Sequence, residues 1–493
     1  MPQVRVCKDA HKGEALLRTK IPTQANEAWV GHPPGKKRTP FNTKLGYNCA
    51  LPRVCLQFCI HRRTLMQAHI ISIRLRAVSA IFAAALFVTS AWAADHETVL
   101  HNFGNGNDGA SGTSLIIDAA GNLYGVTPNG GIYQCGFESC GTVFQLSRTA
   151  GGGWTETVLH NFGNGTDGTG PNGLIMDAAG NLYGLTESGG LHGGGIVYEL
   201  SPGEGGSWTE TVLYNFSAGG GYGNGNYSLF RDAAGNLYGT MFDGGAYGEG
   251  MVFELSPSGG AWTETVLHSF GNGSDGQYPE SGVVMDAAGN LYGTTYQGGT
   301  SSCGIVYELS PSESGGWTET VVHNFNGTDG RAIWASLILD AAGNLYGAAY
   351  QGGIYCPPFG CGTAFEFSPS EGGGWTMTVL HNFGNGNDGT GPLASLILDR
   401  AGNLYSTANG GGMNGYGAVF ELSPEHGGGW VETVLYSFDR NDNGGYVPFA
   451  SVVMDRTGDL YGNTAFGGLY GIGIAFELTP ASIRFGSCCA PTK

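Results

Sequence analysis

The chain repeats one octapeptide, Asp-Ala-Ala-Gly-Asn-Leu-Tyr-Gly, and this repetition limits the folds it can adopt more than any other feature. Five identical copies and two degenerate copies begin at Asp118, Asp177, Asp232, Asp286, Asp340, Asp399 and Asp455. Counted from the glycine at the fourth position, successive copies are 59, 55, 54, 54, 59 and 56 residues apart. A period of this size is typical of solenoids, propellers and other repeat arrays.

Each unit carries four short strand patterns. In the second unit, residues 173–177 (GLIMD) form an apolar run, and residues 181–186 (NLYGLT) follow after a tight turn. Residues 195–201 (GIVYELS) and 208–216 (WTETVLYNF) alternate apolar and polar side chains. Clusters of Gly, Asn, Asp and Pro separate these patterns, and no segment has a sustained 3.6-residue period. The sequence therefore predicts an all-β protein.

The octapeptide itself is interpreted as a hairpin turn. In the second unit, Asp177 ends the first strand and can accept backbone hydrogen bonds within the turn. Gly180 supplies the left-handed backbone conformation that a short hairpin loop requires. A repeated catalytic aspartate is disfavoured, because seven equivalent residues spaced around a fold cannot converge on one substrate.

The two ends of the repeat region predict that the array closes into a ring. It opens at residues 97–103 (ETVLHNF), a fourth-strand pattern that no first, second or third strand precedes. It ends at residues 473–480 (GIAFELTP), a third strand that no fourth strand follows. The first segment can complete the last unit and so remove the open edge. We therefore expect a seven-bladed β-propeller of four-stranded antiparallel blades, closed by the N-terminal strand, with a linear solenoid as the alternative.

The repeats also resemble a known family. The motifs GNLYGTT, G-x-V-(F/Y)-E-L-S-P and GGWTETVLY-(N/S)-F recur in fixed order and are similar to those of the Gloeo/Verruco (GloVer) tandem-repeat proteins, also known as choice-of-anchor repeat proteins. The resemblance covers residues 97–480 and implies a secreted or surface-associated protein with no established activity. Many members carry a C-terminal sorting anchor, but residues 481–493 lack an apolar helix followed by a basic tail. The phrase D-x-x-G-N-(L/I/V)-Y is similar to that of NHL-type propellers at the level of the fold.

Residues 66–93 have the layout of a secretory signal peptide. Arg74 and Arg76 precede an apolar run at residues 77–88, and an Ala-Trp-Ala cleavage pattern ends at Ala93. The run is too short to span a bilayer, and a buried core helix is the alternative interpretation.

Composition divides the rest of the chain. Residues 1–65 carry 12 Lys/Arg against 3 Asp/Glu and show no strand or helix period, so they are interpreted as a disordered basic extension or as sequence upstream of the true start. Residues 94–480 form the propeller, and residues 481–493 form a tail. From residue 94 onward there are 8 Lys/Arg against 37 Asp/Glu. This acidic body disfavours nucleic acid and anionic lipid, and favours cations and neutral ligands.

Two cysteine pairs lie in loops between the second and third strands of their units. Cys135 and Cys140 belong to the first unit, and Cys356 and Cys361 belong to the fifth. Export permits disulfides, so each pair is predicted to close its loop. Metal binding is the alternative, although neither loop contains a histidine. The pairing of the remaining cysteines stays open: Cys303, Cys488 and Cys489.

The turns that follow the fourth strands are rich in Asn, Gly and Asp. Five of them place an aspartate at the same position, namely Asp108, Asp167, Asp275, Asp329 and Asp388. In the seventh unit, Asp439, Asn441 and Asn443 alternate as in the first half of a calcium loop, but Ala450 stands where the closing Glu would be. We weigh a bound calcium ion against ordinary turn chemistry, and expect no other cofactor.

A histidine recurs in the fourth strand. It occurs at His101, His160, His268, His323 and His381, and Tyr replaces it at Tyr214 and Tyr436. The free exchange with Tyr indicates a packing position rather than a catalytic or ligand position.

The loops between strands two and three, with the turns between strands four and one, are predicted to form a binding face, because they vary in length and carry aromatic residues. Its candidates are Tyr133, Phe242, Tyr247, Tyr296, Tyr350, Tyr355, Tyr416, Phe466 and Tyr470. Arg231 breaks the apolar pattern of an innermost strand, and we expect it either to line the channel or to pair with a nearby carboxylate. Drift in the length of Gly-rich loops is the alternative explanation for the face.

The sequence favours an exported, monomeric binding module for an extracellular glycan or protein, secreted or periplasmic and without a transmembrane anchor once the signal is removed. Phosphate-loop, zinc-protease and serine-hydrolase motifs are absent from the sequence. Two alternatives remain: a polysaccharide lyase or hydrolase with its site at the channel mouth, and a purely structural surface protein.

Overall fold

The structure is a computed structural model, which describes residues 97–135, 138–217, 228–313, 315–440 and 443–480. The predictions for residues 1–65, 66–93 and 481–493 lie outside these ranges. Among the described residues, the only helical element is a short 3-10 turn at Glu204–Gly206, and no helix is long and apolar enough to cross a membrane. The protein is all-β, as predicted.

Seven four-stranded antiparallel sheets form the blades of a propeller, with the strands of each blade paired in the order first, second, third, fourth. The strands of blades 1 to 3 are Ser114–Ile117, Leu123–Thr127, Thr142–Arg148 and Trp154–Asn161; Gly168–Met176, Leu182–Gly189, Gly193–Pro202 and Trp208–Ser217; and Phe230–Arg231, Leu237–Met241, Met251–Ser258 and Ala261–Ser269. Those of blades 4 to 6 are Val284–Met285, Leu291–Thr294, Ile305–Pro311 and Trp317–Asn324; Ile338–Leu339, Leu345–Ala349, Thr363–Pro369 and Trp375–Asn382; and Ile397–Leu398, Leu404–Ala408, Ala418–Glu425 and Gly429–Ser437. Those of blade 7 are Val453–Met454, Leu460–Asn463, Ile474–Leu478 and Glu97–Asn102.

Short two-stranded ribbons tie loops together on one face of the ring. Four of them join the turn before a blade to the end of that blade's second strand, and a fifth lies within one loop. They are Gly109–Ala110 with Asn129–Gly130, Gly276–Gln277 with Gln297–Gly298, Gly389–Thr390 with Gly410–Gly411, Gly445–Tyr446 with Phe466–Gly467, and Gln134–Cys135 with Glu138–Ser139.

The first strand of the chain completes the last blade. Glu97–Asn102 pairs antiparallel with Ile474–Leu478, and Glu97 lies opposite Leu478. Seven apolar clusters, each shared by two neighbouring blades, run around the ring, and the one between blades 7 and 1 contains the fully buried Phe103. The ring is therefore closed, which excludes the linear solenoid.

The repeated octapeptide forms the predicted turn between the first and second strands. In blade 1, Oδ1 of Asp118 accepts hydrogen bonds from the backbone N–H groups of Ala120 and Asn122 at 2.8 and 2.9 Å. Its Oδ2 accepts from Nδ2 of Asn122 at 2.8 Å and from the hydroxyl of Tyr124 at 3.3 Å. Gly121 has φ +87°, in the left-handed region that favours glycine. The Asp, Gly, Asn and Tyr of the motif thus have one joint function, which is to hold this turn.

Aromatic pairs connect each blade to the next. A phenylalanine at or directly after the end of every fourth strand packs against a ring in the third strand of the next blade, with centroids 4.9–5.4 Å apart. The seven pairs are Phe103–Phe144, Phe162–Tyr198, Phe216–Phe253, Phe270–Tyr307, Phe325–Phe365, Phe383–Phe420 and Phe438–Phe476. Tilted and edge-to-face pairs of this kind stabilise a fold by about 0.5–1.5 kcal/mol beyond the area they bury.

Every fourth strand contains a β-bulge at the same position. In blade 1 the register shifts between Val158 and His160, so Leu159 has no partner on the third strand. The same shift occurs in the other six blades. A bulge re-aims the side chains that follow it, and here the residue after the bulge is the recurrent His or Tyr.

Candidate functional site

A cavity of about 430 Å3 opens at the end of the central channel that faces the loops between strands two and three. Its walls come from blades 1, 2, 5, 6 and 7, so it lies across the ring rather than beside one blade. The lining residues are Ser111, Thr113, Pro128, Asn172, Glu187, Trp334, Leu393, Phe449, Ala465 and Phe466. We call this cavity the mouth.

Two positions of the repeat contribute most of the mouth. The inner position is the fourth residue after the glycine that ends the turn between blades, and it holds Thr113, Asn172, Glu280, Trp334, Leu393 and Phe449 in blades 1, 2, 4, 5, 6 and 7. The outer position is the fifth residue after the leucine of the octapeptide, and it holds Pro128, Glu187, Phe242, Tyr296, Tyr350, Asn409 and Ala465 in blades 1 to 7. Both positions differ in almost every blade, although the residues around them repeat.

One wall of the mouth is aromatic. The rings of Trp334 and Tyr350 stack with centroids 5.0 Å apart and an interplanar angle of 9°. Tyr296 lies next to them, 6.0 Å from Trp334. Phe466 belongs to a second aromatic group on blade 7, where it stacks on Tyr446 at 5.7 Å. These stacks fix flat apolar surfaces on two sides of the opening.

The facing wall is polar. Ser111, Thr113, Asn172 and Glu187 supply hydroxyl, amide and carboxylate groups from blades 1 and 2. Oγ1 of Thr113 and, across the mouth, Nε1 of Trp334 are buried and have no hydrogen-bond partner among the described residues. A buried donor without a partner destabilises a protein by about 1–3 kcal/mol, so such groups are uncommon unless something else pairs with them.

Glu280 is a buried acid at the inner position of blade 4. Only 5% of its surface is exposed, and no described residue hydrogen-bonds to its Oε2. Burial raises the pKa of its carboxyl to about 8, so the neutral acid predominates at pH 7. The pKa of the neighbouring Tyr296 is raised as well, first by burial and then by the charge that Glu280 would carry.

The structure brings together part of the predicted aromatic set. Phe466 lines the mouth, whereas Tyr350 and Tyr296 pack against the lining residue Trp334. Phe242 stacks on Tyr278 at the same position of blade 3, and Tyr416 contacts Tyr446. The others lie in the outer parts of the loops, away from the cavity lining: Tyr133, Tyr247, Tyr355 and Tyr470.

Arg231 is placed elsewhere. It is exposed at the end of its strand beside the octapeptide turn of blade 3, and its guanidinium lies 5.5 Å from the ring centre of Tyr183. That turn belongs to the opposite face of the ring. Arg231 therefore has an aromatic neighbour and does not join the residues at the mouth.

Sequence reasoning missed Trp334, Glu280 and Phe449. The signal was present, because these residues occupy a repeat position that holds a different residue in each of the six blades named above. It also missed a ring of exposed apolar residues on the same face, 51–73% exposed, each directly after a Gly-Gly pair: Ile132, Leu191, Ile354, Met413 and Leu469.

The comparison with protein families decides the relationship of this chain. The Gloeobacter/Verrucomicrobia repeat matches it twice, at residues 85–230 and 224–476. The chain belongs to that family. This confirms the resemblance that its repeated motifs indicated.

The other comparisons add little. No curated protein matches the chain. Solved structures with a similar fold include the extracellular domain of a proposed one component system from B. thetaiotaomicron (12% identity, TM-score 0.47, covering 79% of this chain and 42% of that one). They also include a protein of unknown function from Dyadobacter fermentans (14%, 0.38, 69% and 98%) and a luciferin-regenerating enzyme (12%, 0.37, 78% and 96%). These similarities are too low to support an argument about activity.

Both predicted disulfides are present. Cys135 is bonded to Cys140, and Cys356 to Cys361. Cys303, whose pairing the sequence left open, is buried and also disulfide-bonded. The first two bonds close loops on the face that the sequence predicted to bind a ligand.

The five turn aspartates lie at the interfaces between blades. In blade 1, Oδ1 of Asp167 accepts from the backbone N–H of Gly163 at 2.9 Å, and Oδ2 lies 3.3 Å from Nε2 of His160. The same His–Asp pair, with 3.0–3.3 Å between the atoms, occurs at Asp108, Asp275, Asp329 and Asp388. The calcium prediction for these turns stays a prediction, as does that for Asp439 and Asn443, whose neighbour Asn441 lies outside the described residues.

A glutamate from the next blade approaches four of these His–Asp pairs. The glutamates are Glu156, Glu210, Glu319 and Glu432, and Oε1 of each is buried without a hydrogen-bond partner among the described residues. Burial raises the pKa of all four carboxyls, to about 7 for Glu319 and Glu432. The neighbouring histidine partly offsets this for Glu156, Glu210 and Glu432, and the nearby aspartate adds to it in all four.

The other end of the channel is different. A cavity of about 770 Å3 there is lined by the octapeptide turns of blades 1, 6 and 7. Asp118, Asp399 and Asp455 lie in its wall, but their carboxylates accept hydrogen bonds from their own turns. The larger cavity therefore offers mostly residues that are already committed to the fold.

Proposed function

We propose that this protein is an exported binding module that takes a neutral carbohydrate at the mouth. The observation that carries the proposal is the composition of the mouth, where stacked aromatic rings face hydroxyl and amide groups. These residues occupy the two positions of the repeat that vary between blades.

The chemistry of the mouth suits a sugar. Carbohydrates present apolar C–H faces, which pack on aromatic rings such as Trp334 and Tyr350. Their hydroxyl groups both donate and accept, and could pair with Thr113, Asn172 and Glu187. The volume of about 430 Å3 falls within the range of about 300–1,000 Å3 that is usual for ligand pockets. The acidic body disfavours anionic ligands, which leaves neutral sugars as the best match.

Export is supported by two features. Residues 66–93 have the pattern of a signal peptide, and the disulfides Cys135–Cys140 and Cys356–Cys361 are of a kind that persists in oxidising compartments. A signal peptide and persistent disulfides are both expected of a secreted or periplasmic protein.

A glycan array on the exported protein, with and without calcium, would test the proposal, followed by calorimetry on any sugar that binds. Trp334→Ala and Tyr350→Ala should each weaken binding at least about tenfold, which corresponds to about 1.4 kcal/mol. Tyr247→Ala is the matched control, because Tyr247 is an exposed aromatic residue of the same face outside the mouth. Equal losses in all three variants at matched folding, or no glycan bound, would reject the proposal.

One observation favours a second candidate, a polysaccharide lyase or hydrolase. Glu280 is buried beside Tyr296 at the inner position of blade 4, and burial raises the pKa of its carboxyl to about 8, which favours the protonated form that a general acid needs. If the mouth is catalytic, Glu280→Gln should abolish turnover of a bound polysaccharide and leave its binding intact. Product formation by the Gln variant at the wild-type rate would eliminate this candidate.

A further inference from the structure

Two of the His–Asp–Glu groups between blades have the composition and spacing of a metal site. In the first, His160 and Asp167 come from blade 1 and the turn after it, and Glu210 comes from the fourth strand of blade 2. One ligand atom from each lies within 4.8 Å of the others. The second group repeats this arrangement at blades 5 and 6, with the residues His381, Asp388 and Glu432.

Each group is incomplete as it stands. Nε2 of His160 lies 3.3 Å from Oδ2 of Asp167, and Nε2 of His381 lies 3.1 Å from Oδ2 of Asp388. One carboxylate oxygen of Glu210 and one of Glu432 lie close to the respective His–Asp pair. Oε1 of each is shielded from solvent and receives no hydrogen bond from any described residue, as is also true of Oε1 of Glu264 at a tyrosine interface. When both carboxylates are ionised, they place a net negative charge beside one imidazole, and a bound cation would neutralise it.

The chain contains its own metal-free version of this interface. Where the histidine is replaced by Tyr214, the hydroxyl reaches the next blade and donates to Oε2 of Glu264 at 2.9 Å. Tyr436 does the same to Oε2 of Glu97 at 3.0 Å. At the tyrosine interface before blade 7, Gly444 occupies the aspartate position. A histidine in the fourth strand therefore occurs together with an aspartate in the following turn, and a tyrosine occurs where that aspartate is missing. At the tyrosine interfaces, one hydroxyl hydrogen bond takes the place of the His–Asp–Glu group.

We propose that His160, Asp167 and Glu210, and likewise His381, Asp388 and Glu432, each bind one divalent transition-metal ion of the zinc type. Each ion links the outer strands of two neighbouring blades. Zinc takes both imidazole nitrogen and carboxylate oxygen as ligands, and a water molecule would complete a tetrahedral set with one nitrogen and two oxygens from the protein. Zinc ligands lie roughly 2.0–2.2 Å from the ion, so ligand atoms that start within 4.8 Å of one another need only small side-chain movements. The nitrogen ligand favours zinc over calcium, which takes oxygen ligands.

The experiment is a zinc titration of the metal-stripped, tag-free protein, with bound metal measured after gel filtration. Two double variants copy the chain's own tyrosine interface: H160Y/D167G and H381Y/D388G. Each should lose one bound zinc ion, and their combination should lose two. Zinc should raise the melting temperature of the wild type but not that of the combined variant, because only a bound ligand stabilises the folded state. A tenfold excess of calcium should leave the zinc in place.

The matched control is His323→Tyr. His323 pairs with Asp329 at 3.0 Å, but Met377 stands where the glutamate would be, so this interface lacks a third ligand. Its substitution should leave the zinc content unchanged. If a tyrosine variant does not fold, Glu210→Gln and Glu432→Gln replace it, and each should lose one ion. Absence of zinc from the wild type, or full zinc content in the combined variant or in both glutamine variants, would overturn the proposal.

Discussion

The two ends of the central channel are built from the same seven repeats, yet they differ in how much the repeats are allowed to vary. At the far end, the octapeptide is nearly constant, and its Asp, Asn and Tyr are bonded to one another. At the mouth, the inner position changes from Thr113 to Glu280 to Trp334 around the ring. The far end is constrained because each residue there holds a turn. The mouth positions face a cavity, so packing against neighbouring residues does not determine which side chain stands there. Under the proposed function, contact with the ligand determines it instead.

If the proposed function is correct, this difference separates the residues that stabilise the fold from those that contact the ligand within one repeat. Changes at the far end should act on the fold, and changes at the mouth should act on the ligand. The largest effect is expected from opening the ring, because both ends of the channel depend on its closure.

Deletion of residues 97–103 should destabilise the protein by more than about 5 kcal/mol. The loss combines the strand's hydrogen bonds with the burial of Leu100 and Phe103, at about 1.5–3 kcal/mol for each side chain. Such a loss is comparable to the whole stability of a typical domain. Thermal melting of the variant should show it, and binding at the mouth should disappear with it. Deletion of seven residues from 1–65 is the control; equal melting of the two variants would contradict closure by this strand.

Substitution of Glu280 tests whether a buried carboxyl at the inner position lowers the free energy of unfolding. Its folded pKa of about 8 lies above the value of 4.5 expected for the unfolded chain, so the folded state binds the extra proton between these values. Stability from this group is therefore fully present below pH 4.5 and is lost as the pH rises through 8. Glu280→Gln cannot ionise and should gain about 2–4 kcal/mol relative to the wild type between pH 5 and pH 9. Denaturant unfolding at pH 5 and at pH 9 measures this gain. If the free energies of unfolding of the two proteins differ by the same amount at both pH values, folding does not raise the pKa of this carboxyl.

Asp286→Ala should destabilise the far end by about 1–3 kcal/mol. The substitution removes hydrogen bonds from the backbone of Ala288 and Asn290, from Nδ2 of Asn290 and from the hydroxyl of Tyr292. Ligand affinity at the mouth should not change at a temperature where the variant is folded. A direct loss of affinity there would break the separation between the two ends.

The smallest effect is expected at Tyr307. Its hydroxyl is fully buried without a hydrogen-bond partner among the described residues, and five of the seven blades have Phe at this position. Tyr307→Phe should therefore be neutral or stabilise the protein by up to about 1 kcal/mol. Chemical denaturation is sufficient to measure this. A clear destabilisation would indicate that the hydroxyl has a partner, such as a buried water molecule.

The fold was predictable because each repeated residue contributes to local structure. The glycine of the octapeptide, the alternating strands and the missing fourth strand of the last unit were enough to give seven blades and the closing pair, as Glu97 opposite Leu478 shows. The disulfides Cys135–Cys140 and Cys356–Cys361 followed from their positions within single loops.

The site was only partly predictable, because the mouth depends on distances across the ring. Tyr296 and Tyr350 were identified as aromatic residues in variable loops, but the sequence did not show that Trp334 stacks on Tyr350 of its own blade and contacts Tyr296 of blade 4. The histidines were interpreted as packing residues because Tyr replaces them. In the sequence, Tyr occurs where the following turn has no aspartate at the equivalent position, as at Gly444, and in the structure the hydroxyl of Tyr436 donates to the glutamate of the next blade.

The closing strand also determines how the ring responds to force. Because Glu97–Asn102 and Ile474–Leu478 are antiparallel, the chain enters and leaves the propeller at the same end of one strand pair, where Glu97 lies opposite Leu478. A force that separates the two termini would break the hydrogen bonds between these two strands one after another, instead of shearing all of them at once. If the protein is tethered at one terminus, the ring bears no load. If it is held at both, its seam is the first part to fail.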